Sequence, residues 1–265
     1  MISMPTNKLN NQSSVLVIND LTIIFGSNKA VDRISFTIKK GEIFGLLGPN
    51  GAGKTSTLSA IEGLIKFQSG DILVNGLDIT NNSLKVKANI GVQLQANSFQ
   101  NELTINQIIK LYAGLYSVAL SPAAIVDSLN SIGLGLEAGK QFKQLSGGQQ
   151  QRLSLYIANM HNPILLLLDE PTAGLDPQSR RQLWDTIEHN RQNGGSILLT
   201  THSMEEAESV CDRVAIIDNG RVISLDTPKG LIEKHKHDPN VLKVSRGKVT
   251  LEDVFIGLTG SEIRE

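Results

Sequence analysis

The sequence predicts an α/β fold, and three observations carry the prediction. Residues Gly48-Pro49-Asn50-Gly51-Ala52-Gly53-Lys54-Thr55 follow an apolar run, Ile43 to Leu47, and precede a helical pattern with Leu58, Ile61 and Ile65 on one face. Five aliphatic residues, Ile164 to Leu168, read as a central buried strand that ends in Asp169-Glu170. Between them, residues 102 to 135 carry helical apolar spacing, as at Ile105, Ile108, Ile109 and Tyr112, with little strand character. A mixed core sheet, an antiparallel β region ahead of it and a helical region inserted into it accommodate all three.

The elements follow in chain order. Residues 15 to 25 and 31 to 47 alternate or run apolar, with a break at Lys40-Gly41, which predicts antiparallel strands leading into the strand before the glycine-rich loop. Ile72 to Val74 meets Asn75-Gly76, and Val214 to Ile217 meets Asn219-Gly220 ahead of Arg221 to Leu225; both read as strands at tight hairpin turns. Ser146 and Gln149 have capping-box spacing, and Leu153, Tyr156, Ile157 and Met160 make the apolar face of the helix they would cap. Asn81 to Ser83 and Gly133 to Gly139 read as flexible joints, and no internal repeat is present.

Composition narrows the function classes. With 265 residues, 40% apolar and 19% charged, the chain can bury a sizeable core, and a net charge of -1 with no long Lys/Arg stripe argues against nucleic-acid binding. Lys85, Lys87, Arg180 and Arg181 read as solvated helix faces. The single cysteine, Cys211, sits beside Val210 in an apolar helical setting and reads as a packed thiol, which suits a reducing cytoplasm. Met1 to Ser14 is polar, and no stretch approaches the roughly 18 apolar residues of a bilayer span, so a soluble chain is expected.

The glycine-rich loop points to a nucleoside triphosphate. Its glycines let successive N–H groups face one concavity, where the positive end of the following helix helps hold a polyphosphate. Lys54 would reach the β- and γ-phosphates, and Thr55 would place its hydroxyl on Mg²⁺. Asp169, at the carboxyl end of its strand, is placed to hold Mg²⁺ directly or through water, while Glu170 would orient and deprotonate a water attacking the γ-phosphate.

Leu145-Ser146-Gly147-Gly148-Gln149 then resembles the signature motif of the ATP-binding cassette (ABC) family, and the resemblance covers roughly residues 15–235. It implies a P-loop NTPase fold of the ABC type, a single ATP-binding domain with a helical subdomain inserted at about 96–160, and a short tail over 236–265. Residue by residue it implies that Phe25 stacks on adenine and that Gly48 to Ser56 hold the phosphates. Gln95 would contact Mg²⁺ or the attacking water, His202 the γ-phosphate, and Asp176 would communicate between paired subunits. Leu145 to Gln149 would close over ATP bound to the other subunit's loop. Two positions depart from the usual pattern: Phe25 stands where tyrosine is common, and Leu94 where a proline often precedes the glutamine. Phe25 keeps the stacking face and loses the hydroxyl.

What the resemblance implies about partners is a second ABC subunit, as a homodimer or a related heterodimer, docked on an integral membrane permease near Gln95. The chain would sit peripherally on the cytoplasmic face of the cell membrane, hydrolysing ATP to drive transport. Leu251-Glu252-Asp253-Val254-Phe255, Gly91 to Gln95 and His202 to Ala207 resemble cassettes of drug, antibiotic or polysaccharide exporters. An importer ATPase would share every catalytic motif. A soluble cassette acting on DNA or ribosomes is the rival of another class, and it lacks here both a sustained heptad insertion and a second motif set.

Overall fold

The computed structural model describes residues 14–93 and 99–260. Gln95 and Leu94 lie outside the described residues. The chain opens with β1 (Ser14–Phe25), β2 (Asn28–Lys39), β3 (Ile43–Leu47), α1 (Lys54–Ile61), β4 (Ser69–Val74), β5 (Leu77–Asp78), α2 (Ser83–Lys87) and β6 (Ile90–Val92). Helices α3 (Ile105–Leu115), α4 (Pro122–Ser131) and α5 (Gly147–Asn159) follow, the last pair joined through short 3-10 turns at 135–137 and 142–144. Then come β7 (Leu165–Asp169), α6 (Pro177–Gln192), β8 (Ser196–Thr201), α7 (Met204–Val210), β9 (Arg213–Asp218) and β10 (Arg221–Asp226). Three helices close the described chain: α8 (Pro228–His235), α9 (Pro239–Val244) and α10 (Leu251–Thr259).

These strands make two sheets. The first is antiparallel in the order β2-β1-β4-β5, and the second runs β10-β9-β3-β8-β7-β6. In the second, β3 pairs in parallel with β8 and β9, β7 with β8 and β6, and only the edge strand β10 is antiparallel. Both expected hairpins form as their residues dictate: Asn75 and Gly76 take φ 48 and 74, Asn219 and Gly220 take φ 46 and 73, and paired left-handed residues give a turn whose twist matches the strands.

The central strands are apolar on both faces because each face has its own core. Phe44, Leu46, Leu165, Leu167, Leu198, Ala215 and Ile217 join Leu16, Ile18, Ile34, Leu58 and Ile61 in the cluster between the sheets. Their alternate neighbours Ile43, Leu47, Leu166, Leu168, Ile197, Leu199, Val214 and Ile216 pack on the opposite face with residues of α6 to α10. A third cluster, centred on Ile105, Ile109, Leu129, Phe142, Leu153 and Ile157, belongs to α3, α4 and α5.

Three local expectations change. The helix after the glycine-rich loop stops at Ile61 rather than reaching Ile65, because Gly63 turns the chain with φ +67, and Ile65 packs against the core from the following segment. Cys211 is buried as expected but lies just past the end of α7, and burial pushes its thiol well above the ordinary range. Arg180 is not a freely solvated cation: its Nε lies 3.4 Å from the buried carboxylate of Glu206.

Candidate functional site

The loop from Gly48 to Gly53 leaves β3 and enters α1, and its shape depends on two glycines with no room for a side chain. Gly53 holds φ +103, and a Cβ there would lie 2.5 Å from the carbonyl oxygen of Ala30. At Gly48 a Cβ would meet the carbonyl oxygen of Ile217 at 2.5 Å. The tip of the β9–β10 hairpin braces the loop from outside: Gly220 N–H donates to Ala52 O at 3.1 Å, while Gly220 O accepts from Asp32 N–H at 2.8 Å. The loop is thus fixed by backbone contacts on two sides.

Lys54 is buried to 5% exposure and its Nζ donates to Gly48 O at 2.7 Å and Pro49 O at 3.2 Å. Burial lowers its pKa, and the nearby carboxylates of Glu170 and Asp169 oppose that shift. At the other end of α1, burial raises the pKa of Glu62, with the Asp169 charge adding to the effect. The cation of the loop therefore faces two acids and stands in a largely desolvated position, which strengthens its pull on any anion brought beside it.

The two acids come from the carboxyl end of β7, and they point in different directions. Asp169 Oδ2 accepts from Thr55 Oγ1 at 3.2 Å, across 114 residues of sequence, and Oδ1 accepts from Thr200 Oγ1 at 2.5 Å. Glu170 occupies the left-handed region at φ 46, uncommon for a residue with a side chain. Its amide donates to Thr200 Oγ1 at 3.0 Å and Thr200 O at 3.2 Å, which holds that conformation. His202 follows β8, with Nδ1 3.4 Å from Glu170 Oε2, and its side chain is 45% exposed.

A cleft of about 630 Å³, counting its open mouth, runs along the loop and is lined among others by Phe25, Asn28, Asn50, Lys54, Thr55 and Glu170. Phe25 is half exposed and forms one wall. The cleft thus joins a flat aromatic face, a glycine-rich loop and one cation, which suit a nucleoside polyphosphate, with the carboxylate of Glu170 beside them. Thr55 and Asp169 present hard oxygen donors side by side, a donor set that fits Mg²⁺, which keeps waters and phosphate oxygens for its other positions.

The remaining expected residues lie elsewhere. Ser146 caps α5, accepting from Gln149 N–H at 3.3 Å while Gln149 Oε1 accepts from Ser146 N–H at 2.9 Å, so the capping box is complete. Ser146 and Gly147 are exposed and Gly148 packs against Ser179. None of residues 145–149 lines the cleft. Asp176 caps α6, accepting from Gln178 N–H, Ser179 N–H and Ser179 Oγ, and the Ser179 hydroxyl leads the causes that lower its pKa. Sequence reading missed Asn28 and Ala30 as walls and Thr200 as the residue that seats both acids. The clue to Thr200 was a pair of hydroxyl residues, Thr200-Thr201, closing an otherwise aliphatic strand.

Comparison with known proteins agrees with this geometry. The family profile described as ABC transporter matches residues 31–173. The linearmycin resistance ATP-binding protein LnrL of Bacillus subtilis (strain 168) is 39% identical over 212 residues, covering 79% of this chain and 68% of that protein. The Nod factor export ATP-binding protein I of Neorhizobium galegae is 38% identical over 217 residues, covering 80% of this chain and 62% of that protein. The probable multidrug ABC transporter ATP-binding protein YbhF of Escherichia coli (strain K12) is 36% identical over 247 residues, 92% of this chain but only 42% of its own length. Among solved structures, an ATP-binding subunit of an ABC transporter superposes with TM-score 0.79 at 26% identity, covering 92% of this chain and 99% of that one. A structure of cbiO1 from Clostridium perfringens superposes with TM-score 0.73 at 28% identity, covering 88% and 95%. The chain belongs to the ABC transporter family and is one of its ATP-binding, ATP-hydrolysing proteins.

Proposed function

We propose that this chain powers an exporter by hydrolysing ATP in a site completed by a second cassette. One observation carries the reading: Thr55 and Asp169, from opposite ends of the motif set, meet at 3.2 Å beside the Glu170 that lines the same cleft. Phe25 stacks on adenine, and Gly48, Asn50, Gly51, Ala52, Gly53 and Ser56 wrap the phosphates with backbone N–H groups and a hydroxyl, while Pro49, which has no N–H to offer, fixes the start of the loop. Lys54 leaves its loop carbonyls to pair with the β- and γ-phosphates. Thr55 and Asp169, with Gln95, would hold Mg²⁺, which would supply positive charge to offset that of the phosphates. Glu170 takes the proton of the attacking water, and His202, 3.4 Å from that carboxylate, donates to the γ-phosphate.

The exposed cap of α5 supplies the second half. Ser146, Gly147 and Gly148 present a helix N-terminus that does not line the cleft, which suits closure over ATP held by a partner subunit, with Leu145 and Gln149 fixing the cap and Asp176 relaying between subunits. Export as the direction draws on the linearmycin resistance and Nod factor export relatives. A permease embedded in the membrane is the remaining partner, a reading that draws on the relatives named as ATP-binding proteins of transporters. The domain limits follow the same reading, 15–235 for the cassette, about 96–160 for its helical part and 236–265 for the tail.

The test is ATP turnover by the full chain. Glu170→Gln should bind ATP as the wild type does and hydrolyse it about 10²- to 10⁴-fold more slowly, the contribution of a positioned base. Near wild-type turnover at saturating ATP would remove Glu170 from the chemistry, and lost binding would make it a structural residue.

A further inference from the structure

Glu206 is a buried carboxylate, 5% exposed, in the first turn of α7 shortly after His202. Its Oε2 accepts from Thr172 Oγ1 at 2.7 Å and from Thr201 Oγ1 at 3.2 Å, and its Oε1 lies 3.4 Å from Arg180 Nε. Both threonines are buried as well, at 6% and 3% exposure. The Thr201 hydroxyl also accepts from Ser203 N–H at 3.0 Å, and Ser203 Oγ accepts from Glu206 N–H at 3.3 Å, so the turn that carries His202 is tied at both ends.

These partners come from three separate segments. Thr172 follows Glu170 and Pro171; Thr201 immediately precedes His202; Arg180 lies in α6, which Asp176 caps. A leucine or methionine could fill the same space without constraining any of them. A carboxylate there is costly unless its oxygens are satisfied, so it holds its donors in one arrangement.

We propose that Glu206 is a positioning residue for hydrolysis: by clamping Thr172 and Thr201 to one buried carboxylate, it sets the spacing of Glu170 and His202. The proposal rests on the assignment of those two residues to the reaction. Glu206 does not line the cleft, and acts through the two loops it joins. Arg180 adds an electrostatic contact from α6 to the same carboxylate.

The test is steady-state ATP hydrolysis and ATP binding by the purified full chain carrying Glu206→Gln, His202→Ala and both together. Glu206→Gln keeps the length of the side chain and loses its charge and one acceptor. It should lower kcat about tenfold or more, the effect of removing a buried charge-assisted hydrogen bond. KM and ATP affinity should change by less than about twofold, since Lys54 and its loop are not among the partners. In the His202→Ala background the same change should cost little more, because residues acting as one unit are not additive. Thr172→Val removes one donor with no change of shape, and should give a smaller kcat loss with the same non-additivity even if Glu206→Gln fails to fold. If His202→Ala itself keeps wild-type turnover, the site assignment and this proposal fall together. If His202→Ala is slow but the clamp variants leave kcat unchanged, change KM alone, or multiply with His202→Ala, the site stands and the clamp is refuted.

Discussion

Gly53→Ala tests whether the phosphate loop is shaped by steric necessity. Gly53 holds φ +103, and its new Cβ would sit 2.5 Å from Ala30 O and 3.2 Å from Val31 Cγ2. Ala30 is the extra residue of a bulge in β2, and its neighbours are paired on either side, Val31 opposite Ile23 and Lys29 opposite Ile24, so its carbonyl can move away only by disturbing that pairing. The left-handed backbone costs an L-residue about 1–2 kcal/mol, and forcing a strand apart adds about 1–3 kcal/mol. A loss of about 2–5 kcal/mol is a large share of a domain stability of about 5–15 kcal/mol. For a chain of this size it corresponds to a fall in Tm of roughly 5–15 °C, or to a loop that relaxes and releases ATP. Thermal unfolding by circular dichroism and binding of a fluorescent ATP analogue measure the two outcomes. Gly147→Ala is the control, since nothing lies within 4 Å of its Cβ and it starts a helix. Its stability should change by less than about 0.5 kcal/mol, so any loss of turnover there reports the partner's phosphate. A Gly53→Ala protein with wild-type Tm and wild-type ATP affinity would refute the steric argument.

Lys54→Ala should weaken ATP binding about 10- to 100-fold, because it removes a buried charged donor to phosphate; equilibrium dialysis that returns unchanged affinity contradicts the role. Chelation of divalent ions should abolish hydrolysis and Mg²⁺ alone should restore it, while Thr55→Ala should raise the Mg²⁺ concentration for half-maximal turnover. His161 bears on stability rather than chemistry. Burial chiefly lowers its pKa; its Nε2–H donates to Ile90 O at 3.0 Å, and its ring stacks on Tyr116 at 4.2 Å. Since the folded state favours the neutral ring, the unfolded chain binds the extra proton first as pH falls below its ordinary value of about 6.5. Denaturant melts should therefore show stability falling from pH 7 to 5.5 in the wild type and a flatter profile in His161→Gln; parallel profiles would contradict this.

The features legible in the sequence are those set by local rules. Asn75-Gly76 and Asn219-Gly220 form the turns their φ preferences demand, Ser146 and Gln149 form the box their spacing demands, and β7 ends where its aliphatic run gives way to acids. Contacts between distant segments left no local trace. Thr172 and Glu206 look like a turn threonine and a helix glutamate, and only the fold brings them to 2.7 Å. Arg180 resembles any helix-face cation until α7 is packed beside it. The last helices are similar: Val241, Leu251, Val254 and Phe255 are buried in the cluster that α7 and α8 share with the central strands, which their own spacing does not reveal. Asp176 shows the converse, with a local role as a cap that is complete within its own helix.

The shared ATP site is tested most directly by light scattering of the full chain carrying Glu170→Gln, with and without ATP and Mg²⁺. A shared site gives dimers with ATP, monomers without it, and monomers under both conditions when Ser146→Arg is added, because a bulky cation at the α5 cap excludes the opposing phosphate. Dimers that persist in the double variant, or that form equally without nucleotide, would contradict a site built from two subunits.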